Sequence, residues 1–230
     1  TERAARTRLE VLWDIENVTV PMARSGTEAV AGLHEALKPF GRVERIRAYG
    51  SVLSCGANER TRSELQLSGV HLVDAPHRNR KEVADKMVLV DAMEIAVRNA
   101  AASGHSPAVG IVLVTGDTDF AYLLSRLRSL RGGVADGASP APLVLIAPQH
   151  PACASELLQA VPDVVYWESG VLGLAGFDSP TKPVASPLRS SIAAANVDAA
   201  NDDASIVALS QPSTSPPRSL LMDIPTRGRD

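Results

Sequence analysis

Aromatic residues and cysteines are scarce in this chain. Only 3% of its 230 residues are Phe, Trp or Tyr, so a hydrophobic core must be built from Val, Leu, Ile and Ala. Two cysteines, Cys55 and Cys153, are too few for a disulfide scaffold or a multi-cysteine zinc site. No apolar run approaches the roughly 18 residues of a transmembrane helix, so we expect no membrane span.

Signals for targeting and for strong nucleic-acid attraction are also missing. The first eight residues contain no apolar leader segment and no initiator Met, which favours a fragment of an intracellular, cytoplasmic protein. The chain does not end in Ser-Lys-Leu, so a peroxisomal location receives little weight. A net charge of −3 excludes a histone-like basic binder but allows a local basic groove.

The composition divides the chain near residue 175. Apolar residues make up 45% of the whole sequence, which is enough for a sizeable core. Beyond Ala175, Ser and Pro dominate long stretches, and such segments bury too little to offset the entropy of ordering. We therefore predict a domain over 1–174 and a disordered linker or tail over 175–230, which leads to additional domains if the chain is a fragment.

The domain alternates between strand and helix patterns. The predicted strands are 9–13, 43–49, 70–73, 110–115, 143–147 and 164–167. The predicted helices are 27–40, 58–67, 82–101, 120–130 and 152–160. Alternation with nearly continuous apolar strands predicts an α/β fold, a three-layer α/β/α sandwich around a mainly parallel sheet. Ligands of such sheets bind outside the carboxyl ends of the strands, where the strand order reverses.

Acidic residues follow two of these strands and open the longest helix. Asp14 ends the first strand, Asp117 and Asp119 follow the fourth, and Asp85 lies near the start of the helix over 82–101. Clustered carboxylates repel one another, and a hard divalent cation relieves the repulsion. Mg²⁺ or Mn²⁺ held in this way suits phosphodiester hydrolysis. The sequence contains no Gly-x-Ser-x-Gly elbow, no Walker A motif and no G-x-G-x-x-G fingerprint.

Three segments then resemble a known family in the correct order. Leu-Trp-Asp-Ile-Glu-Asn-Val at 12–18 is similar to the D-x-x-N opening of the NYN domain, a branch of the PIN-like nucleases. Residues 81–85 and 90–92 are similar to its K-x-x-x-D … D-A helix. Residues 114–120, Val-Thr-Gly-Asp-Thr-Asp-Phe, are similar to its S/T-G-D-x-D-F signature. The opening further resembles the limkain-type (meiosis arrest factor) subgroup.

The resemblance implies a metal-dependent ribonuclease acting on RNA, usually single-stranded RNA. It assigns the metal cluster to four aspartates: Asp14, Asp85, Asp117 and Asp119. Asn17 is expected to bond a cluster carboxylate or a phosphate. Asp91 lies six residues beyond Asp85, about 120° around a regular helix, so it is expected as an outer metal ligand if Asp85 sits in the first turn.

A basic segment precedes the long helix. Arg78, Arg80 and Lys81 form the densest cationic cluster, and it leads into the acidic edge, so we expect these side chains to bind substrate phosphates. A simpler interpretation of Asp117 and Asp119 also stays open, because aspartate commonly caps the helix that follows it. One of the two then caps while the other binds metal.

Two other functions remain open at this stage. The first is a catalytically inactive RNA-binding adaptor of the same fold, which takes part in post-transcriptional regulation. The second is another acid-cluster fold of the TOPRIM type, in which Asp117-Thr118-Asp119 follows a strand and Glu16 stands close to the first strand. The sequence does not give the RNA target, the choice between endonuclease and exonuclease, the number of metals or the oligomeric state.

Overall fold

A computed structural model of the chain describes residues 7–51, 59–76, 82–101, 108–131 and 140–176. All of them belong to one compact unit, Thr1–Ser186. Nearly all of the tail over 175–230 lies outside the described residues, so the boundary at residue 174 stays a prediction. Among the described helices, none is long and apolar enough to cross a membrane.

Six strands form one sheet, and every strand pairing in it is parallel. The strands are Arg8–Asp14 (β1), Arg42–Gly50 (β2), Val70–Asp74 (β3), Val109–Val114 (β4), Leu143–Ala147 (β5) and Asp163–Tyr166 (β6). The helices are Gly26–Leu37 (α1), Glu59–Leu67 (α2), Val83–Ala101 (α3), Ala121–Arg131 (α4) and Ser155–Gln159 (α5). A 3₁₀ turn, Thr118–Phe120, precedes α4, and a π-helical turn, Trp167–Val171, follows β6.

The predicted fold class is confirmed. Helices cover both faces of the sheet, which makes the three-layer α/β/α sandwich that the alternation indicated. All six predicted strands and all five predicted helices are present, with ends that differ by one to a few residues. The last helix is shorter than predicted, since it spans Ser155–Gln159 rather than 152–160.

Alternating residues of β1 serve the two cores. Leu9, Val11 and Trp13 pack with α1 and with the turn after β6, whereas Leu12 faces the layer that contains α3, α4 and α5. The Trp13 and Trp167 rings lie 5.1 Å apart at an angle of 55°. Asp14 follows Trp13 and therefore lies on the α3 face, at the carboxyl end of the strand.

The strand order is β3-β2-β1-β4-β5-β6, so β1 lies at the centre. The chain moves outward from β1 to β2 and β3, and then returns to the other side of β1 with β4. The strand order therefore reverses between β1 and β4. In open parallel sheets this is where a crevice forms at the carboxyl edge. The segments that follow Asp14 and Val114 border that crevice.

Candidate active site

Asp14 lies at the carboxyl edge of the sheet, where the strand order reverses. It is the last residue of β1, and only 2% of it is exposed. Its Oδ2 accepts a hydrogen bond from Thr115 Oγ1 at 2.9 Å, and its Oδ1 accepts one from the Asn17 backbone N at 3.3 Å. The second contact closes a turn, which ends the strand locally and directs the chain away from the sheet.

Burial raises the pKa of Asp14 from 3.8 to about 6. The hydrogen bonds from Thr115 and Asn17 favour the charged form and oppose this rise, and the charge of Asp85 adds to it. An ionised carboxylate at this position is therefore held at a cost. A cation that binds this carboxylate removes the cost of its charge, so Asp14 is a suitable ligand for a divalent ion.

Thr115 connects the two central strands. Its side chain is fully buried, and its hydroxyl donates to Asp14 while accepting from the Asp117 backbone N at 3.1 Å. One hydroxyl therefore fixes the positions of two aspartates that are 103 residues apart in the sequence. The following Gly116 passes so close to β5 that an added Cβ would lie 2.8 Å from Cγ of Pro148. A side chain at residue 116 would push this loop away from its neighbour.

Asp117 caps the 3₁₀ turn, as the simpler interpretation of this motif predicted. Its Oδ1 accepts from the Asp119 backbone N at 2.9 Å, which uses one carboxylate oxygen. The other oxygen, Oδ2, lies 3.5 Å from Asn17 Nδ2. Asp117 therefore caps with one oxygen and presents the second to the crevice. The Asp119 side chain is exposed.

Asp85 reaches the same edge from α3. It lies half-buried in the first turn of the helix, where the sequence analysis placed it. Burial raises the pKa of Asp85, and the charges of Asp117, Glu82, Asp119 and Glu16 raise it further, in that order. The end of β1, the β4 loop and the first turn of α3 therefore bring acids to the same edge of the sheet, and we call Asp14, Glu16, Asp85, Asp117 and Asp119 the acidic cluster.

Glu16 is a member of the acidic cluster that the sequence analysis did not assign to the metal site. Its Oε1 accepts a hydrogen bond from the Ser51 backbone N at 2.7 Å, just beyond β2. Gly50 permits this contact, because an added Cβ there would lie 2.9 Å from the Glu16 Cγ. The acid two residues after Asp14 is the signal in the sequence that points to this position.

Asp91 belongs to a different network, which corrects its assignment as a metal ligand. Its Oδ2 accepts from Arg47 Nη1 at 2.6 Å and from Tyr49 Oη at 2.5 Å. Arg47 also donates to the buried Glu10 at 2.9 Å, and Arg98 of α3 donates to Glu10 at 2.9 Å. Arg47 and Arg98 therefore pair with the acids between α3 and the sheet, and Arg47 together with the Tyr49 hydroxyl occupies the Asp91 carboxylate.

The predicted phosphate-binding residues lie outside the described part of the chain. Arg78, Arg80 and Lys81 fall in the interval 77–81, between β3 and α3, so their assignment stays a prediction. Asn17 is described: its side chain is exposed at the crevice and donates to Asp117. Its contacts therefore agree with the predicted bond to a cluster carboxylate.

The donor set fits a hard divalent cation. Its atoms are carboxylate oxygens with one amide, the ligand type of Mg²⁺ and Mn²⁺. Within the residues that the structure describes, no three His, Cys, Asp or Glu side chains are close enough to hold an ion together. Mg²⁺ often takes only one or two carboxylates directly and keeps several waters.

Comparison with known proteins identifies the family. Residues 8–152 match the NYN domain, which is more than half of the 230-residue chain. The chain belongs to the NYN domain family. Proteins of this PIN-like group are typically nucleases, and PIN-like nucleases generally use divalent metals.

The other comparisons add little to this assignment. Curated protein sequences show no significant match. Among solved structures, the chain is similar to a protein of unknown function, VPA0982 from Vibrio parahaemolyticus, with a TM-score of 0.49 and 17% identity. That alignment covers 70% of this chain and 93% of the other.

Proposed function

We propose that this NYN domain is a metal-dependent ribonuclease that hydrolyses phosphodiester bonds of single-stranded RNA. One observation carries the proposal: Asp14 ends β1 and Asp117 follows β4 where the strand order reverses, and the Thr115 hydroxyl bonds both the Asp14 carboxylate and the Asp117 backbone N. Membership of the NYN family supports a nuclease activity in general. The acidic cluster supports metal dependence, because acids without a cation repel one another and a polyanionic substrate.

The cluster aspartates would hold the ion. Asp14 is the most buried member, and Thr115 links it to the backbone of Asp117, so we propose these two as direct ligands and Asp85 and Asp119 as the remaining members of the predicted site. When bound, Mg²⁺ or Mn²⁺ would make water a stronger nucleophile and neutralise charge on the phosphate. Thr115 is a positioning residue, because its hydroxyl orients Asp14 and Asp117 together.

Substrate contacts come from the rim of the crevice. The exposed Asn17 side-chain amide donates to Asp117. An amide NH₂ group has two N–H donors, so the second can bind a phosphate oxygen. Arg78, Arg80 and Lys81 stand directly before α3 in the sequence, and Asp85 lies in its first turn. We propose that these cations bind the RNA backbone and offset the repulsion between the phosphates and the acidic cluster.

Finer assignments remain predictions within this proposal. The family match identifies the NYN domain and not the limkain-type subgroup that residues 12–18 resemble. Cleavage within the RNA chain, a role in regulating gene expression and a cytoplasmic location are likewise proposed on the resemblance alone. The inactive adaptor of the same fold is the outcome to which a failed cleavage experiment would lead.

Cleavage of labelled single-stranded RNA by the full chain tests the proposal. We expect cleavage with Mn²⁺ or Mg²⁺ and none with EDTA, and we expect the variants Asp14→Asn and Asp85→Asn to lose at least about a hundredfold in rate. A circular RNA added as a second substrate is cleaved only by an endonuclease. Urea denaturation of each variant confirms that it is folded.

The matched control is Asp74→Asn. Asp74 ends β3 at the same edge of the sheet, but β3 is two strands away from β1. We expect this variant to keep the native cleavage rate, because β3 is the edge strand and β2 separates it from β1 and Asp14. Folded protein that binds RNA equally with and without EDTA, and cleaves none, would replace the nuclease by the adaptor.

A further inference from the structure

The longest helix carries a second apolar face that points to solvent. On α3, Val90 is 67% exposed and Val97 is 61% exposed, and Leu89 and Met93 are also exposed. At 3.6 residues per turn, Val90 and Val97 lie within about 20° of each other and Met93 about 60° away, so they form one stripe. No described element covers this stripe. We call Val90, Met93 and Val97 the outer stripe.

The outer stripe is not the edge of the core. The residues that pack α3 on the sheet are Ala84, Val88, Ala92 and Ile95, which lie on the opposite side of the helix. A helix on the surface of a globular protein normally presents polar residues there. Exposed β-branched residues aligned over two turns are typical of a face that another apolar surface covers.

Charged residues flank the outer stripe in a self-complementary order. Lys86 precedes Val90 by four residues, and Glu94 follows it by four. Each is paired within α3: Lys86 Nζ lies 3.2 Å from Glu82, and Arg98 Nε lies 3.6 Å from Glu94. Lys86 and Glu94 are 70% and 58% exposed, so both can reach a neighbouring helix.

An antiparallel copy of α3 satisfies these charges and the stripe together. With a two-fold axis at Val90, each residue n faces residue 180 − n of the second copy. Lys86 then faces Glu94 of the second copy, and this contact occurs twice. The same register places Val97 opposite Val83, which is apolar and half-buried at the start of the helix. Opposite charges at flanking positions of paired helices select partner and orientation.

We propose that the outer stripe of α3 is an interface for a second copy of this chain, packed antiparallel about Val90. A contact of two helices lies at the low end of specific interfaces, below about 1,200 Å², so the dimer forms reversibly and depends on concentration. Asp85 lies about 140° around α3 from Val90, which leaves the acidic cluster open to substrate. The proposal therefore does not depend on the nuclease assignment.

Sedimentation velocity of the full chain over a range of micromolar concentrations tests the proposal. We expect a monomer–dimer equilibrium, and we expect Val90→Glu to raise the dimer Kd at least about tenfold, because two like charges meet at the two-fold axis. The matched control is Leu67→Glu on α2, which changes a residue that is 86% exposed and lies off the stripe. It should leave the Kd unchanged.

Charge reversal tests the register. Lys86→Glu and Glu94→Lys should each weaken the dimer, whereas the double variant should recover the native Kd, since it restores both contacts between copies. Within one helix, the double variant places the new glutamate at position 86 beside Glu82 and the new lysine at position 94 beside Arg98, which are like charges. If the single variants act only by disturbing their own helix, the double variant should therefore not recover the native Kd. A native chain that stays monomeric, an unaffected Val90→Glu variant or a double variant weaker than both singles would overturn the proposal.

Discussion

Replacing Asp14 by Asn should stabilise the cation-free protein at alkaline pH while abolishing cleavage. Burial raises the pKa of this carboxyl to about 6 from 3.8. The folded state therefore binds the proton more tightly, and stability falls as the pH rises through the interval between these values. Above pH 6 the whole cost applies, and two pKa units correspond to about 3 kcal/mol. Asparagine carries no charge and avoids this cost.

The amide also loses an interaction. Asp14 accepts from both Thr115 and Asn17, and an asparagine has one acceptor oxygen, so one hydrogen bond disappears at about 1 kcal/mol. The net expectation at pH 8 is a gain of about 1–2 kcal/mol, or about 2–8 °C in Tm for a chain of this size. At pH 4.5 the native carboxyl is largely protonated in the folded state, and the gain should fall by about 2 kcal/mol.

Urea denaturation in EDTA at both pH values measures this difference. Asp119→Asn is the matched control, because its side chain is exposed, and the expected change in unfolding free energy is within about 0.5 kcal/mol. Added Mn²⁺ should stabilise the native chain more than Asp14→Asn, since a ligand stabilises the state that binds it. A variant that is less stable than the native chain by the same amount at both pH values would refute the reasoning.

Three further substitutions test packing and capping by urea denaturation. Arg47→Met removes the cation that the buried Glu10 shares with Asp91 and should cost about 3–5 kcal/mol, and a loss smaller than about 1 kcal/mol would contradict a buried ion-pair network. Gly32→Ala places a Cβ 2.0 Å from the Val171 carbonyl oxygen and should cost about 1–3 kcal/mol; an unchanged midpoint would disprove the contact between α1 and the π-helical turn. Ser25→Ala removes the capping box of α1 and should cost about 1 kcal/mol, whereas a neutral result would show that the cap contributes nothing.

Local patterns predicted the layers of the fold but not the neighbours of each strand. The apolar strand over 110–115 and the helical spacing of α1 are properties of adjacent residues, so periodicity is sufficient to detect them. The ends were less certain, because an end depends on a specific cap such as Ser25 with Glu28. The order β3-β2-β1-β4-β5-β6 depends on which faces pack together over the whole chain.

The site shows the same division. Asp14, Asp85 and Asp117 could be named from their positions beside strands and at a helix start, and the structure brings them to one edge. Asp91 shows the limit of this reasoning, because the family's helix motif suggested an outer metal ligand there. In the structure, the Asp91 carboxylate accepts a hydrogen bond from Arg47, which is 44 residues away in the sequence.

The sequence by itself determined the succession of strands and helices and the aspartates that follow them, because these depend on short-range periodicity and on residue chemistry. Tertiary structure alone decided that β4 lies beside β1. That neighbour brings Thr115 within 2.9 Å of Asp14 across 101 residues and buries the carboxyl enough to raise its pKa. A hydrogen bond over such a separation depends on strand order and on burial, and neither is a property of any local segment.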